Sequence, residues 1–255
     1  MIRAKGGMAN VEKKIRSKLY RAVLDPAADI DEHPPLPHCD QFPPVLDTYV
    51  TVPDPGCGLQ IHYEEVYGIK PGLARLFQRL YELNDAMRRA LAERRKIEPT
   101  SFDDSMFDFQ YHLLEFRHEE ANLIDKALRI ALLIYVKTLA RPLEFLKPQS
   151  SRLVDRLYSY VSIYTFKCHC TLDTSPLMLW LLFMGGIAAA QGTEVHMWFL
   201  EQIIVWVESR SGTELSWDAI QGKLDSVLWN SYVHEEVGRA LWCDVLDWRK
   251  KTSGS

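Results

Sequence analysis

The strongest constraint on the fold is the helical spacing of apolar residues from residue 71 to the end of the chain. Apolar residues recur every three or four positions there, as one face of an α-helix requires. No alternating strand pattern and no Asn-Gly hairpin follows residue 60. The sequence therefore predicts an all-α fold, a multi-helix orthogonal bundle of about seven to nine helices, over residues 61–250.

Several segment boundaries carry the residue types that begin helices. Ser175 before Pro176, Thr193 and Ser216 each stand where an N-cap is expected. The segment that starts at Pro71 is predicted to bury a stripe formed by Leu73, Leu76, Leu80, Leu83, Met87 and Leu91. Residues 102–139 fit either one long helix or two shorter ones.

The longest apolar run, residues 177–190, is too short to cross a membrane. It has fourteen residues, whereas a membrane helix needs about 20. We therefore expect it to be a buried core helix, and we expect no membrane partner.

The N-terminal quarter differs from the rest in charge and proline content. Residues 1–21 hold seven Lys or Arg and one acid, whereas residues 22–69 hold nine acids and no Lys or Arg. Eight of the thirteen prolines lie between residues 25 and 60, where they disfavour regular structure. The sequence predicts a basic amphipathic helix at 1–24 and an acidic, Pro-rich linker or strap at 25–60.

Two polar clusters invite a chemical interpretation. His112, Glu115 and His118 have spacings that place them on one helical face, the arrangement of a helical metal-dependent enzyme. No second Glu-x-x-His unit exists to complete a di-iron site, so we expect the polar face of an amphipathic helix and no cofactor. His234-Glu235-Glu236 resembles an acid/base set, and we expect it to be the exposed start of a helix.

A pair of glycines inside the apolar run is more informative than either cluster. Glycine weakens a helix by about 1 kcal/mol relative to alanine, so a close approach by another helix or a ligand would explain Gly185 and Gly186. The ligand interpretation predicts an apolar effector pocket near Trp180, Phe183, Met184, Gly185 and Trp198.

The apolar and aromatic segments, taken in order, resemble one family. They are Ala127–Tyr135, the run W-x-x-F-x-G-G-I-A-A that starts at Trp180, the pair Trp198-Phe199, and the late pairs Leu228-Trp229 and Leu241-Trp242. This set resembles the fungal-specific transcription factor domain, the regulatory region of zinc-cluster (Zn2Cys6) transcription factors. The resemblance covers about residues 60–248.

The resemblance implies a helical regulatory domain that acts in the nucleus, with possible shuttling to the cytoplasm, and contacts transcriptional co-regulator proteins. Some members sense small apolar molecules such as sterols, and a homodimer is compatible with the family. The chain departs from the family at its five cysteines, which lack the six-cysteine C-x2-C-x6-C arrangement that reads DNA. We therefore expect a regulator without catalysis and without direct nucleic-acid binding. A ligand-free helical scaffold is the third interpretation, beside the metal-dependent enzyme.

Overall fold

The computed structural model describes residues 13–34, 68–96, 99–116, 121–140, 151–167, 175–209 and 216–253. Those residues form nine helices and no strand. The helices are α1 (Lys13–Ile30), α2 (Pro71–Ala92), α3 (Pro99–Glu115), α4 (Leu123–Ala140), α5 (Ser151–Lys167), α6 (Pro176–Ala188), α7 (Glu194–Glu208), α8 (Trp217–Asp225) and α9 (Ser231–Ser253). The predicted all-α class is confirmed, and residues 102–139 contribute to two helices rather than one.

Side-chain caps fix three of the helix starts at the predicted residues. The Ser175 hydroxyl accepts a hydrogen bond from the Met178 N–H at 3.1 Å. The hydroxyls of Thr193 and Ser216 do the same for the third residue of α7 and α8. Each bond satisfies an N–H that the helix itself leaves unpaired, so these boundaries follow from local chemistry.

The described residues fall into two compact units, one up to Asn122 and one from Leu123 onward. The sequence interpretation treated residues 61–250 as one helical domain, and the division lies within that range. Each unit has its own buried apolar core, and we describe each by itself.

In the first unit, α1 and α2 pack against α3. The Tyr20 ring stacks on Phe107 with centroids 6.2 Å apart, and the Gln110 amide donates to the Asp25 carboxylate at 3.2 Å. Helix α1 continues past Pro26 to Ile30, although the sequence predicted that helical structure ends at residue 24. A proline inside a helix costs about 3 kcal/mol, and burial of Leu24 and the neighbouring alanines offsets that cost.

Leu91 departs from the predicted buried stripe of α2. The other five members are buried, but Leu91 is 38% exposed. It lies in the last turn of the helix, beyond the buried face. The rest of the predicted strap, residues 35–60, lies outside the described residues, as do residues 1–12.

In the second unit, α4 and α6 form the centre. Helix α4 packs against α5 and α6, and α6 packs against α7, α8 and α9 as well. Ten of the thirteen residues of α6 are buried, from Leu177 to Gly186. The expectation of a buried core helix is confirmed.

Candidate functional site

Helix α6 carries four of the five residues predicted to line an effector pocket. Trp180, Phe183 and Met184 are fully buried at 0% exposure. Gly185 is also buried, and Trp198 on α7 is half-buried. The structure therefore places four of the five residues in the buried core of the second unit and leaves Trp198 partly exposed.

Side chains from neighbouring helices occupy the space beside both glycines. A Cβ atom built on Gly185 would overlap the Phe199 ring, whose Cε2 would lie 2.8 Å away. A Cβ on Gly186 would meet Leu241 Cδ2 at 2.9 Å. The close approach that the glycines indicate is thus made by α7 and α9. The glycines no longer favour a ligand, and the effector pocket remains a prediction.

A histidine buried in this core is the feature that the sequence interpretation placed wrongly. His234 was expected at an exposed helix start, but it is 0% exposed. Its ring stacks on Tyr135 with centroids 5.0 Å apart and lies at the same distance from the Trp229 ring. The imidazole therefore fills a space between aromatic side chains of α4 and the loop before α9.

Both nitrogens of this imidazole have hydrogen-bond partners. The Asn230 N–H donates to His234 Nδ1 at 3.4 Å, so that nitrogen carries no proton. His234 Nε2 then donates to the Thr138 hydroxyl at 2.7 Å, and Thr138 donates to the Tyr135 carbonyl at 2.6 Å. The chain of bonds assigns the Nε2–H tautomer.

The same arrangement keeps His234 neutral. Burial lowers its pKa from 6.5 to about 3. A second proton would have to sit on Nδ1, facing the Asn230 N–H donor. Because both nitrogens are already bonded within the core, this histidine joins α4 to α9 and is not placed for proton transfer.

The buried aromatic cluster extends from this histidine to the surface of α9. The Trp229 ring meets Phe183 edge-on and Trp217 at a steep angle. Trp217 Nε1 donates to Glu235 at 2.9 Å, and Glu235 also accepts from Arg239 at 2.7 Å. The Arg239 guanidinium lies 5.6 Å from the Trp217 ring centroid, which adds a cation–π contact.

A signal in the sequence would have placed His234 correctly. His234, Gly238, Leu241 and Val245 are spaced by four, three and four residues and are all buried. Gly238 belongs to this face because a Cβ there would meet Trp229 at 2.6 Å and Trp217 at 2.8 Å. If the glycine and the histidine are counted as core positions, the helical spacing predicts the buried face of α9.

In the first unit, His112 lies between two carboxylates. Its Nε2 is 3.3 Å from Asp108 and its Nδ1 is 3.8 Å from Glu115. Arg79 holds the other oxygen of Asp108 at 3.2 Å. The hydrogen bond to Asp108 raises the pKa of His112 more than burial lowers it. The imidazole is thus stabilised as a cation by its neighbours.

Among the described residues, no group of three or more His, Cys, Asp or Glu side chains is placed to hold a metal ion. His118, the third residue of the predicted metal set, lies outside the described ranges. The set His112, Glu115 and His118 therefore remains a prediction. Within the described chain, no helix is long and apolar enough to cross a membrane.

Comparison with protein-family models, with curated proteins and with solved structures finds no significant match for this chain. Functional interpretation therefore depends on the residues and their packing.

Proposed function

We propose that this chain is the regulatory and protein-interaction domain of a fungal transcription regulator, and that it acts without catalysis and without reading DNA itself. In this proposal it works in the nucleus by presenting its helical surfaces to co-regulator proteins. The second unit is the folded module on which that role depends.

One observation supports the proposal above the others: the segments that carry the resemblance all pack on α6. Trp180 Nε1 donates to the Leu228 carbonyl, and Phe183 meets Trp229. The side chains of Phe199 and Leu241 cover the two glycines. Tyr135, the last residue of the first segment, has its ring 6.2 Å from Trp180. Segments separated by more than a hundred residues thus form one packing unit around α6.

A tethering assay in fungal cells tests the proposal. The full chain, fused to a DNA-binding domain that alone leaves a reporter gene unchanged, should alter transcription of that reporter. Gly185→Leu should abolish the effect, because it disrupts the core around Phe199. Gly222→Ala is the matched control, since no heavy atom lies within 4 Å of its added Cβ. A soluble, nuclear fusion that leaves reporter transcription unchanged would refute the proposal.

The effector part of the proposal has its own test. An apolar effector would have to contact Trp198, the least buried of the five predicted pocket residues. Native mass spectrometry with lipid extraction of the purified chain should then detect a bound apolar molecule. Repeated absence of such a molecule would refute the effector and leave proteins as the only proposed binding partners of the domain.

Elemental analysis separates these proposals from the metal-dependent enzyme. Binding at His112, Glu115 and His118 predicts iron, manganese or zinc in stoichiometric amount, which His112→Ala should remove. Metal far below stoichiometry excludes that enzyme.

A further inference from the structure

The carboxyl end of α2 keeps an arginine where the backbone favours glycine. Arg94 has φ +54°, in the left-handed region that L side chains seldom adopt. The Arg94 N–H donates to the Leu91 carbonyl and the Arg95 N–H to the Ala90 carbonyl. This is the Schellman pattern of helix termination, in which the left-handed residue is usually glycine. Helix α2 therefore ends at an arginine whose backbone is strained.

Arg94 belongs to a strongly basic surface. The twelve residues 85–96 hold five Lys or Arg and two acids. Arg89 pairs with Asp85 at 3.1 Å and Arg95 pairs with Glu93 at 2.6 Å, both in exposed positions.

Three further cations of this surface are exposed, namely Arg88, Arg94 and Lys96. None of the three has an ion pair with another residue in the described part of the chain. Their charge is therefore available to a partner.

An apolar side chain lies beside these cations. Leu91 is 38% exposed and follows Arg88 by three positions, which makes the two side chains neighbours on the helix surface. An acidic peptide that carries an apolar residue complements both features: its carboxylates meet the cations, and its apolar side chain covers Leu91. A polynucleotide fits less well, because its phosphate backbone has no apolar side chain to cover Leu91.

We propose that the carboxyl end of α2, formed by Arg88, Leu91, Arg94 and Lys96, binds an acidic peptide segment of a partner protein through salt-sensitive charge contacts and one apolar contact. The inference goes beyond the proposed function, since it does not require the chain to act in transcription. Cations at a helix carboxyl end also stabilise the helix through its dipole, so the test must separate binding from folding.

Arg94→Gly achieves that separation. It removes one cation and relieves the positive φ, so folding should become more stable while peptide binding becomes weaker. The full chain would be titrated into a fluorescein-labelled peptide in which Asp or Glu alternates with Leu or Phe, with fluorescence anisotropy as the readout. Arg75→Gln is the matched control, because Arg75 is exposed near the amino end of the same helix.

We expect each of Arg94→Gly, Arg88→Gln and Lys96→Gln to weaken binding by about two- to fivefold, as exposed charge contacts do. The triple variant should weaken it by about tenfold or more, and raising the salt from about 0.05 M to about 0.3 M should weaken wild-type binding. Arg75→Gln should bind like wild type.

Three results would overturn the inference. The first is a triple variant that binds as tightly as wild type. The second is equal binding of a control peptide in which Asn and Gln replace the acids. The third is tighter binding of a duplex DNA oligonucleotide, which would assign the surface to phosphate contacts instead.

Discussion

The substitution Gly185→Ala is the most direct test of the packing around α6. The added Cβ would lie 2.8 Å from Phe199 Cε2, with two other ring atoms closer still, whereas carbon atoms pack best at about 3.5–4.0 Å. Phe199 is 0% exposed, so its ring has no solvent to move into.

The size of the effect follows from two opposing contributions. Over-packing a core costs about 1–3 kcal/mol, and the conflict with three ring atoms places Gly185→Ala at the upper end. Alanine in place of glycine returns about 1 kcal/mol of helix stability. The free energy of unfolding should therefore fall by about 2 kcal/mol, which lowers Tm by about 4–8 °C in a chain of this size.

Urea unfolding and thermal melting of matched variants measure this difference. Gly222→Ala makes the same chemical change at an exposed position of α8, where nothing lies within 4 Å of the new Cβ. It should raise stability by about 0.5–1 kcal/mol. Phe199→Leu should cost less in the Gly185→Ala background than in wild type, because it removes the ring atoms that conflict. A Gly185→Ala variant as stable as wild type would refute the packing described for α6 and α7.

Four other predictions concern single residues. Arg94→Gly should raise the free energy of unfolding by about 1 kcal/mol by relieving the positive φ, and an unchanged Tm would contradict that strain. Wild type should lose stability relative to His234→Asn as the pH falls below 6.5, by up to about 1.4 kcal/mol per pH unit. The reason is that His234 binds a proton in the unfolded state, whereas the buried imidazole of the folded state stays neutral. The pH dependence of stability has the opposite sign for His112, whose raised pKa gives stability that is lost as the pH rises through that pKa. Urea titrations of His112→Gln should lack this dependence. Ser175→Ala should cost about 1 kcal/mol in thermal unfolding through loss of the N-cap, and no change would mean that the cap is dispensable.

The candidate site was predictable in part. The sequence identified α6 as a core helix and its glycines as points of close approach, because apolar run length and glycine in a helix are local signals. It did not identify Phe199 and Leu241 as the approaching side chains. Those residues come from α7 and α9, and nothing in the local sequence states which helix crosses at Gly185.

Local chemistry by itself determined the helical class and several helix boundaries, since Ser175, Thr193 and Ser216 cap helices with their own hydroxyls. Only the tertiary structure decided the environment of His234. Beside two glutamates the histidine looked like a surface residue, but its partner Thr138 lies 96 positions earlier in the chain. Likewise, α1 continues through Pro26 because α3 buries its face, and Leu91 stays exposed because no described residue covers it fully. Periodicity and caps act within one or two turns, whereas burial depends on contacts that exist only once distant helices have packed.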